Sequence, residues 1–273
     1  MFRASYSRSK ARTFFGMAEV TYHSIVRNLR SGHRNALFGL IMTMLQSLIM
    51  ILVFMAMFML IGVRSSPIRG DFLLYIMSGI FMFMTHVKTV SAVAGGASPV
   101  GAMMMHAPMN TIVAITAAAV SALYEQVLTI AIILSIYHIA FTPITIHDPI
   151  GAMGMVLMAW FSGVAVGMVF LALNPWIPDV AGLLRTMYIR VNMIASGKMF
   201  VVNALPASMV AIFDWNPLFH IIDQTRGFVF LHYTPHVTSV NYPIYVSIAL
   251  VMIGLMGEFY SRKNVSVSWF AGR

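Results

Sequence analysis

Long apolar runs without a charged side chain constrain this sequence more than any other feature. The first, from Leu37 to Val63, contains no Asp, Glu, Lys or Arg. A helix needs about 20 apolar residues to cross the hydrocarbon core of a bilayer. Apolar residues make up 59% of the chain and charged residues only 9%, which would leave a soluble protein with a large apolar surface in water. The sequence therefore predicts an all-α membrane protein.

Six apolar segments predict six transmembrane helices. The fifth segment is the least hydrophobic and carries Arg185, Arg190 and Lys198. We expect a cytoplasmic basic arm at 1–36, a six-helix transmembrane domain at 37–261 and a cytoplasmic tail at 262–273. The predicted spans are 37–63, 72–93, 109–140, 150–173, 180–202 and 243–260.

The distribution of Lys and Arg predicts the orientation, because these residues accumulate in cytoplasmic segments. Basic residues before the first span far outnumber the single acidic Glu19, and the link at 138–149 between spans three and four has neither Lys nor Arg. Arg64 and Arg69 oppose this assignment mildly. Both termini are therefore expected in the cytoplasm. The net charge of +9 then reflects membrane topology, and nucleic acid is not needed to explain it.

The amino-terminal arm has a helical pattern of its own. Ala18, Tyr22, Ile25 and Leu29 recur at helical spacing, with Arg27 and Arg30 off that stripe. This pattern is typical of an amphipathic helix on the cytoplasmic membrane surface. The alternative is a plain basic anchor that only sets topology.

The sequence contains none of the common catalytic motifs. It has no G-x-S-x-G and no H-E-x-x-H, and Met199 follows Gly197-Lys198 where a phosphate loop needs Ser or Thr. The absence of cysteine excludes disulfides and cysteine nucleophiles. Pro235 between His232 and His236 disfavours the regular helix that would place both histidines on one metal. We expect no catalysis, metal or cofactor in this chain. His86, His106 and His138 are interpreted as polar partners at helix contacts.

Charged residues inside predicted spans are costly in a bilayer and usually face a partner or an aqueous path. Lys88 lies toward the inner end of span two, and Glu125 lies in the middle of span three. One interpretation pairs Glu125 with Lys88 or Arg190. The other places Lys88, Glu125, Arg190 and Lys198 along a polar translocation path. A proton relay needs several acids in series, and Glu125 is the only one well inside a span.

Two connecting segments are predicted to contain short helices. Gly95-Gly96 interrupts the end of span two, and Ser98-Pro99 can start an apolar helix over Pro99–Met105 on the inner side. That helix could dock a soluble partner or pack on the membrane surface. Before the last span, Asn216-Pro217 is a start signal and Gly227 a stop signal for a half-polar helix in the segment from 214 to 228.

These features together resemble the membrane subunits of type-2 ABC exporters, in particular the permeases that export capsular polysaccharide or O-antigen. The family has a segment of the form LP…NPLxHxIxxxRxxF between spans five and six. This chain has Leu205-Pro206, then Asn216-Pro217-Leu218-Phe219-His220, Arg226 and Phe228. It departs from the family where Pro178 precedes Asp179 in place of Arg, and where Ser196-Gly197 stands for Ser-Pro. The likeness covers nearly the whole chain through short motifs.

The resemblance implies a permease with no cofactor of its own, since ATP and Mg²⁺ would bind a separate ATPase. Two copies of each subunit would form the transporter in a bacterial inner membrane, with a glycan or glycolipid substrate, membrane lipid contacts and possible periplasmic or outer-membrane export proteins. Asp223 and Arg226 would pair. The implied ATPase-coupling residues are Pro99, Val100, Met103, Met104, Tyr22 and Arg30, and the implied re-entrant exit segment contains Asn216, Pro217, His220, Asp223 and Arg226.

Three alternatives remain at the level of sequence. A type-2 ABC exporter of lipid, teichoic acid or small drugs would share almost every feature. A proton-coupled secondary transporter would need more intramembrane acids and usually an internal repeat. A membrane anchor subunit of a respiratory or signalling complex would need cofactor ligands such as facing histidines.

Overall fold

The computed structural model describes residues 10–31, 36–62, 66–96 and 111–264, and this part of the chain contains helices and no strand. Five helices are long and apolar enough to cross a membrane, as expected of a multi-pass helical membrane protein: α2, α3, α4, α5 and α9. The bounds are α1 Lys10–Ser31, α2 Ala36–Leu60, α3 Phe72–Gly96, α4 Thr111–Ala140, α5 Pro149–Leu173, α6 Pro178–Ala195, α7 Ala207–Phe213, α8 Pro217–Val229 and α9 Asn241–Asn264.

Helices α3 and α5 form the centre of the bundle and run in the same direction. Along their interface Gly163 meets His86, and Gly167, one turn later, meets Val90 and Val93. Helix α9 packs on the far side of α5, and α4 packs on the far side of α3. We call the end where α3, α5 and α9 begin the distal end, and the opposite end the proximal end.

Small residues set the close approach of the two central helices. A Cβ atom on Gly163 would lie 2.7 Å from the backbone oxygen of His86, and one on Gly167 would lie 2.8 Å from the Val93 Cβ. Real Cβ atoms do not approach so closely, so any side chain here must push the helices apart. Glycines four residues apart are a recurrent device for tight helix packing in membranes. The sequence interpretation had not used this spacing.

Helix α1 confirms the predicted helical arm, and its buried residues show which face contacts the bundle. Ser24 is buried, and the Ser121 hydroxyl of α4 donates to the Ile25 carbonyl at 3.3 Å. Tyr22 is 63% exposed. The small polar face of α1 therefore contacts the bundle, and the edge that carries Tyr22 is directed away from it. An apolar residue on that edge is available to lipid, as in an interfacial helix.

Helix α6 differs from the predicted fifth span. It extends over Pro178–Ala195 rather than 180–202, and it is not among the five long apolar helices. Gly197, with φ of +74°, turns the chain after it. A Cβ on Gly79 of α3 would lie 2.9 Å from the Lys198 Cβ. Since Gly79 is seven residues into α3 and Lys198 lies three residues beyond the end of α6, α6 stops at least about 10 Å short of the distal end of α3 at 1.5 Å per residue.

The α3–α5 interface generates a first prediction. Replacing Gly163 with Leu should lower the thermal unfolding midpoint in mild detergent by several degrees, because overpacking a tight contact costs about 1–3 kcal/mol. Gly154→Leu on the same helix is the matched control, since no atom lies within 4 Å of a Cβ at Gly154. Equal midpoints for the two variants would contradict the packing argument.

Candidate functional site

Helix α8 is the half-polar helix predicted before the last span, and it is buried among α3, α5 and α9. Asn216 caps it: its side-chain oxygen accepts from the Leu218 amide at 3.0 Å. The Asn216 amide group donates to the Asn192 side chain at 2.9 Å and to the Ala195 carbonyl at 3.0 Å. Pro217 follows in the first helical position, where a missing N–H costs nothing. Asn216 thus joins the start of α8 to the end of α6.

Arg226 lies in the last turn of α8 and is fully buried, with 0% of its surface exposed. Its guanidinium donates to the carbonyls of Gly197 at 3.2 Å, Lys198 at 2.7 Å and Phe200 at 2.7 Å. It also lies 4.2 Å from the centre of the Tyr75 ring. These carbonyls follow the end of α6 and lie outside its regular hydrogen bonding, although that of Gly197 also accepts from the Phe200 amide at 3.4 Å. A planar group with five donors suits this position better than an ammonium.

The expected ion pair between Asp223 and Arg226 is wrong. The Asp223 carboxylate accepts a short hydrogen bond from the Tyr233 hydroxyl and another from the Thr238 hydroxyl at 2.7 Å. Arg226 is turned toward the carbonyls after α6 instead. The spacing of three residues brings the two side chains near enough to interact through space. Asp223 is held by the Tyr233 and Thr238 hydroxyls, and Arg226 is held by the carbonyls after α6, because a buried charge requires direct hydrogen bonds.

His220 contacts the chain segments that precede and follow α8. Its Nε2 lies 2.7 Å from the Asp214 carbonyl oxygen and 3.1 Å from the Asp214 carboxylate. Its Nδ1 accepts from the Ser239 amide at 3.2 Å, and its ring lies 4.6 Å from that of Tyr242 on α9. The family-like residues Asn216, His220 and Arg226 therefore fasten α8 to the elements on both sides. In this conformation all three are buried in protein.

Lys198 occupies the break between α6 and α8 and is 2% exposed. Its Nζ lies 3.3 Å from the centre of the Phe83 ring on α3 and 5.0 Å from that of Phe54 on α2. No hydrogen-bond acceptor contacts this amine within the described part of the chain. A cation over aromatic rings gains about 0.5–2 kcal/mol, whereas removing an ammonium from water costs several kcal/mol. Lys198 is therefore the least compensated polar group in the site.

Lys88 and Glu125 come together across the other side of α3. The Lys88 Nζ makes a short hydrogen bond to the Gln46 side-chain oxygen of α2, and it interacts electrostatically with Glu125 of α4. Of the two partners proposed for Glu125, Lys88 is the one that the structure brings near. Arg190 lies on α6, which contacts α3 and α5 rather than α4.

Arg190 is exposed on the outer face of α6. Two residues earlier, the Tyr188 hydroxyl lies 2.8 Å from His86 Nε2, and His86 Nδ1 lies 2.8 Å from the Ser162 hydroxyl. This chain of three polar side chains ties α6 to α3 and α5 at mid-depth. His86 is confirmed as a polar partner at a helix contact, and Arg190 is placed at the same depth.

Tyr188, Asn192 and Ser162 are not among the residues predicted for the site. A polar side chain in a weakly apolar span is the available signal for Tyr188 and Asn192. Their partners could not be identified from it, since His86 and Asn216 are distant in sequence. His138 also serves a local contact, because its Nδ1 accepts from the Ile144 amide at 2.9 Å.

Polar residues line a cleft of about 410 Å³ at the distal end, among them Arg69, Asp71, His147 and His232. Asp71 caps α3 and accepts from the Tyr137 hydroxyl at 2.6 Å. Burial raises the pKa of the Asp71 carboxyl, but its four hydrogen bonds outweigh that effect and hold the pKa below its usual value. Asp71 therefore stays ionised and joins the start of α3 to the end of α4.

The remaining predicted positions lie partly outside the residues that the structure describes. The side chain of Arg30 and the residues Pro99, Val100, Met103, Met104 and His106 lie outside the described residues. Within them, no group of three or more His, Cys, Asp or Glu side chains could hold a metal ion.

No protein-family model matches the chain, and no curated protein is similar enough to it to be counted as a relative.

The Arg226 contacts generate a second prediction. Replacing Arg226 with Met should destabilise the fold by at least about 3 kcal/mol, because several buried carbonyls would lose their donor. The yield of monodisperse protein after detergent extraction and the thermal midpoint would both fall. Arg69→Met, a matched change at an exposed arginine, should alter neither. A stable Arg226→Met protein would show that the carbonyls find other donors.

Proposed function

We propose that this chain is the membrane-spanning permease subunit of an ATP-driven exporter, which moves a polysaccharide across a bacterial inner membrane. We favour a lipid-linked polysaccharide as the substrate. A separate ATPase subunit would supply the energy, and the transporter would contain two copies of each subunit. In this proposal both termini are cytoplasmic and α6 serves as a sixth span. The proposal rests on the motif likeness together with the arrangement of α6 and α8.

The observation that carries the proposal is a polar helix at the edge of the bundle. Helix α6 is peripheral, and its exposed face includes Arg190 at mid-depth beside Met187 and Leu183. An arginine in the middle of a bilayer costs about 2.5–3.5 kcal/mol or more when it faces lipid. We infer that this face is covered by a second copy of the chain or borders water between two copies.

The position of α8 agrees with a re-entrant segment. It begins beside the end of α6, about 10 Å below the distal end of α3 by helical rise, and its last residues bond to the start of α5 through the Phe228 and Val229 carbonyls. Irregular backbone at membrane depth is tolerated where it is buried in protein or lines water. Burial of α8, with Arg226 satisfying the carbonyls beside it, meets that requirement.

The mechanism in this proposal is mechanical coupling. ATP binding would close the partner ATPase, and the inner elements of the permease, α1 with Tyr22 and Arg30 and the segment from 97 to 110, would transmit the motion. Since α1 packs on α4, a displacement of α1 would reach the spans directly. A path between two copies would then open for the glycan.

Copurification with an ATPase tests this proposal. The chain should purify in mild detergent as a two-plus-two complex with an ATPase encoded by the same source, and the complex should hydrolyse ATP. A chain that purifies alone with every candidate would contradict the exporter class. Neighbouring glycan-synthesis genes would separate a polysaccharide exporter from an exporter of lipid, teichoic acid or drugs.

Cysteine cross-linking tests the inferred contact between copies. The chain has no native cysteine, so Met187→Cys introduces one thiol on the exposed face of α6. We expect a disulfide-linked dimer after mild oxidation in membranes, because symmetric copies bring the same residue into apposition. Met256→Cys, on the exposed face of α9, should remain monomeric. Equal dimer yields from the two variants would indicate random collisions and would contradict a contact between copies through α6.

A further inference from the structure

Lys198 is a buried amine with no anionic hydrogen-bond partner among the described residues. Its Nζ contacts the faces of Phe83 and Phe54. Arg226, which donates to the Lys198 carbonyl, is also cationic. Asp214, in the segment between α6 and α8, pairs with His220. The fold thus retains a buried amine where a Met or Leu side chain would fit an apolar site better.

Helix α2 forms one wall of this enclosure. Phe54 belongs to α2, whereas Phe83, Gly79 and the Lys198 backbone belong to the remainder of the bundle. Separation of α2 from α3 would remove Phe54 and open the site on that side. Helix α2 is suited to such a movement, because most of its surface faces away from the bundle.

A groove beside α2 also shows that its packing is incomplete. The groove holds about 450 Å³ between α2, α3 and α4 and is almost entirely apolar, with Leu48, Met55, Met77 and Ile133 among its lining residues. The described polar contact from α2 to α3 is the Gln46–Lys88 hydrogen bond. Flexible Met side chains can repack as neighbouring helices move.

We propose that Lys198 is a concealed anion-binding group, uncovered when α2 parts from α3, and that it binds a phosphate of the molecule that passes. The identity of that molecule rests on the proposed function, but the uncovering of Lys198 does not. An ammonium is a compact phosphate ligand, and in a site screened from water such a contact is strong. Arg226 is occupied by backbone carbonyls, which leaves Lys198 as the available cation at this break.

Amine labelling tests the uncovering. The full chain in phosphatidylcholine vesicles is reductively methylated with a membrane-permeant reagent, and the rates at Lys198 and at the exposed Lys263 are measured by mass spectrometry. We expect Lys198 to react at a measurable rate, about tenfold or more below that of Lys263, because it reacts only in the open conformation. The control is a locked protein, in which Phe58→Cys on α2 and Phe72→Cys on α3 are joined by a short bifunctional thiol reagent so that the two helices cannot part.

The ring centres of Phe58 and Phe72 are 5.7 Å apart, so this pair can hold α2 against α3. Locking should abolish the reaction of Lys198 and leave that of Lys263 unchanged. A Lys198 that never reacts, or that reacts equally in the locked protein, overturns the proposal.

Two further arms test the anion and its source. Inorganic pyrophosphate, compared with chloride at equal ionic strength, should slow methylation of Lys198 and not of Lys263. Slowing by phosphatidylglycerol in the vesicles, with no effect of pyrophosphate, would assign the site to a lipid headgroup. No slowing in either arm overturns the assignment of an anion site.

The variant Lys198→Met separates this role from a structural one. It should raise the thermal midpoint of the isolated chain, since it removes an uncompensated amine, whereas Lys198→Arg should not. A fall in the midpoint with Lys198→Met would show that the amine supports the resting fold and would overturn the proposal. All these measurements use the chain without an ATPase, so failure to find an ATPase would leave them standing.

Discussion

The hydrogen bonds from Arg226 to three main-chain carbonyls are the interaction on which the rest of this structure depends. Helix α6 ends at Ala195, and the carbonyls that follow have no helical partners. In a bilayer they have no water either, and each unsatisfied group costs several kcal/mol. One buried guanidinium meets this requirement at Gly197, Lys198 and Phe200. The chain can then leave the helical path and form the short helix α8.

The same break creates the features with functional interest. Because α6 stops early, α8 occupies the space at the distal end that a full-length helix would have filled. Because α6 is held to α3 and α5 mainly through Tyr188, His86 and Ser162, its other face remains open. Arg190 lies on that open face. A helix that is both peripheral and polar is poorly matched to lipid, and this mismatch is the physical basis for proposing a second copy or an aqueous path beside it.

Lys88 and Lys198 have different environments, although both were predicted as members of one polar path. Lys88 has an amide oxygen from Gln46 and the electrostatic field of Glu125, so its charge is compensated in this conformation. Lys198 has only aromatic rings. The first is adequately explained as a contact that joins α2 and α4 to α3. The second is explained better by a conformation in which the amine meets a partner that is absent at rest.

The sequence by itself determined the helical membrane character and the bounds of most helices, because apolar length and Asp/Asn-Pro caps are local properties. It also located α8 from Asn216-Pro217. It did not determine that α6 ends at Ala195, that Arg226 binds carbonyls rather than Asp223, or that α1 packs on the bundle through Ser24. Those outcomes depend on which helices become neighbours. The Gly163 and Gly167 spacing was a readable signal for one such neighbour, but the partner helix was decided only by tertiary packing, since interactions between distant segments leave no local periodicity.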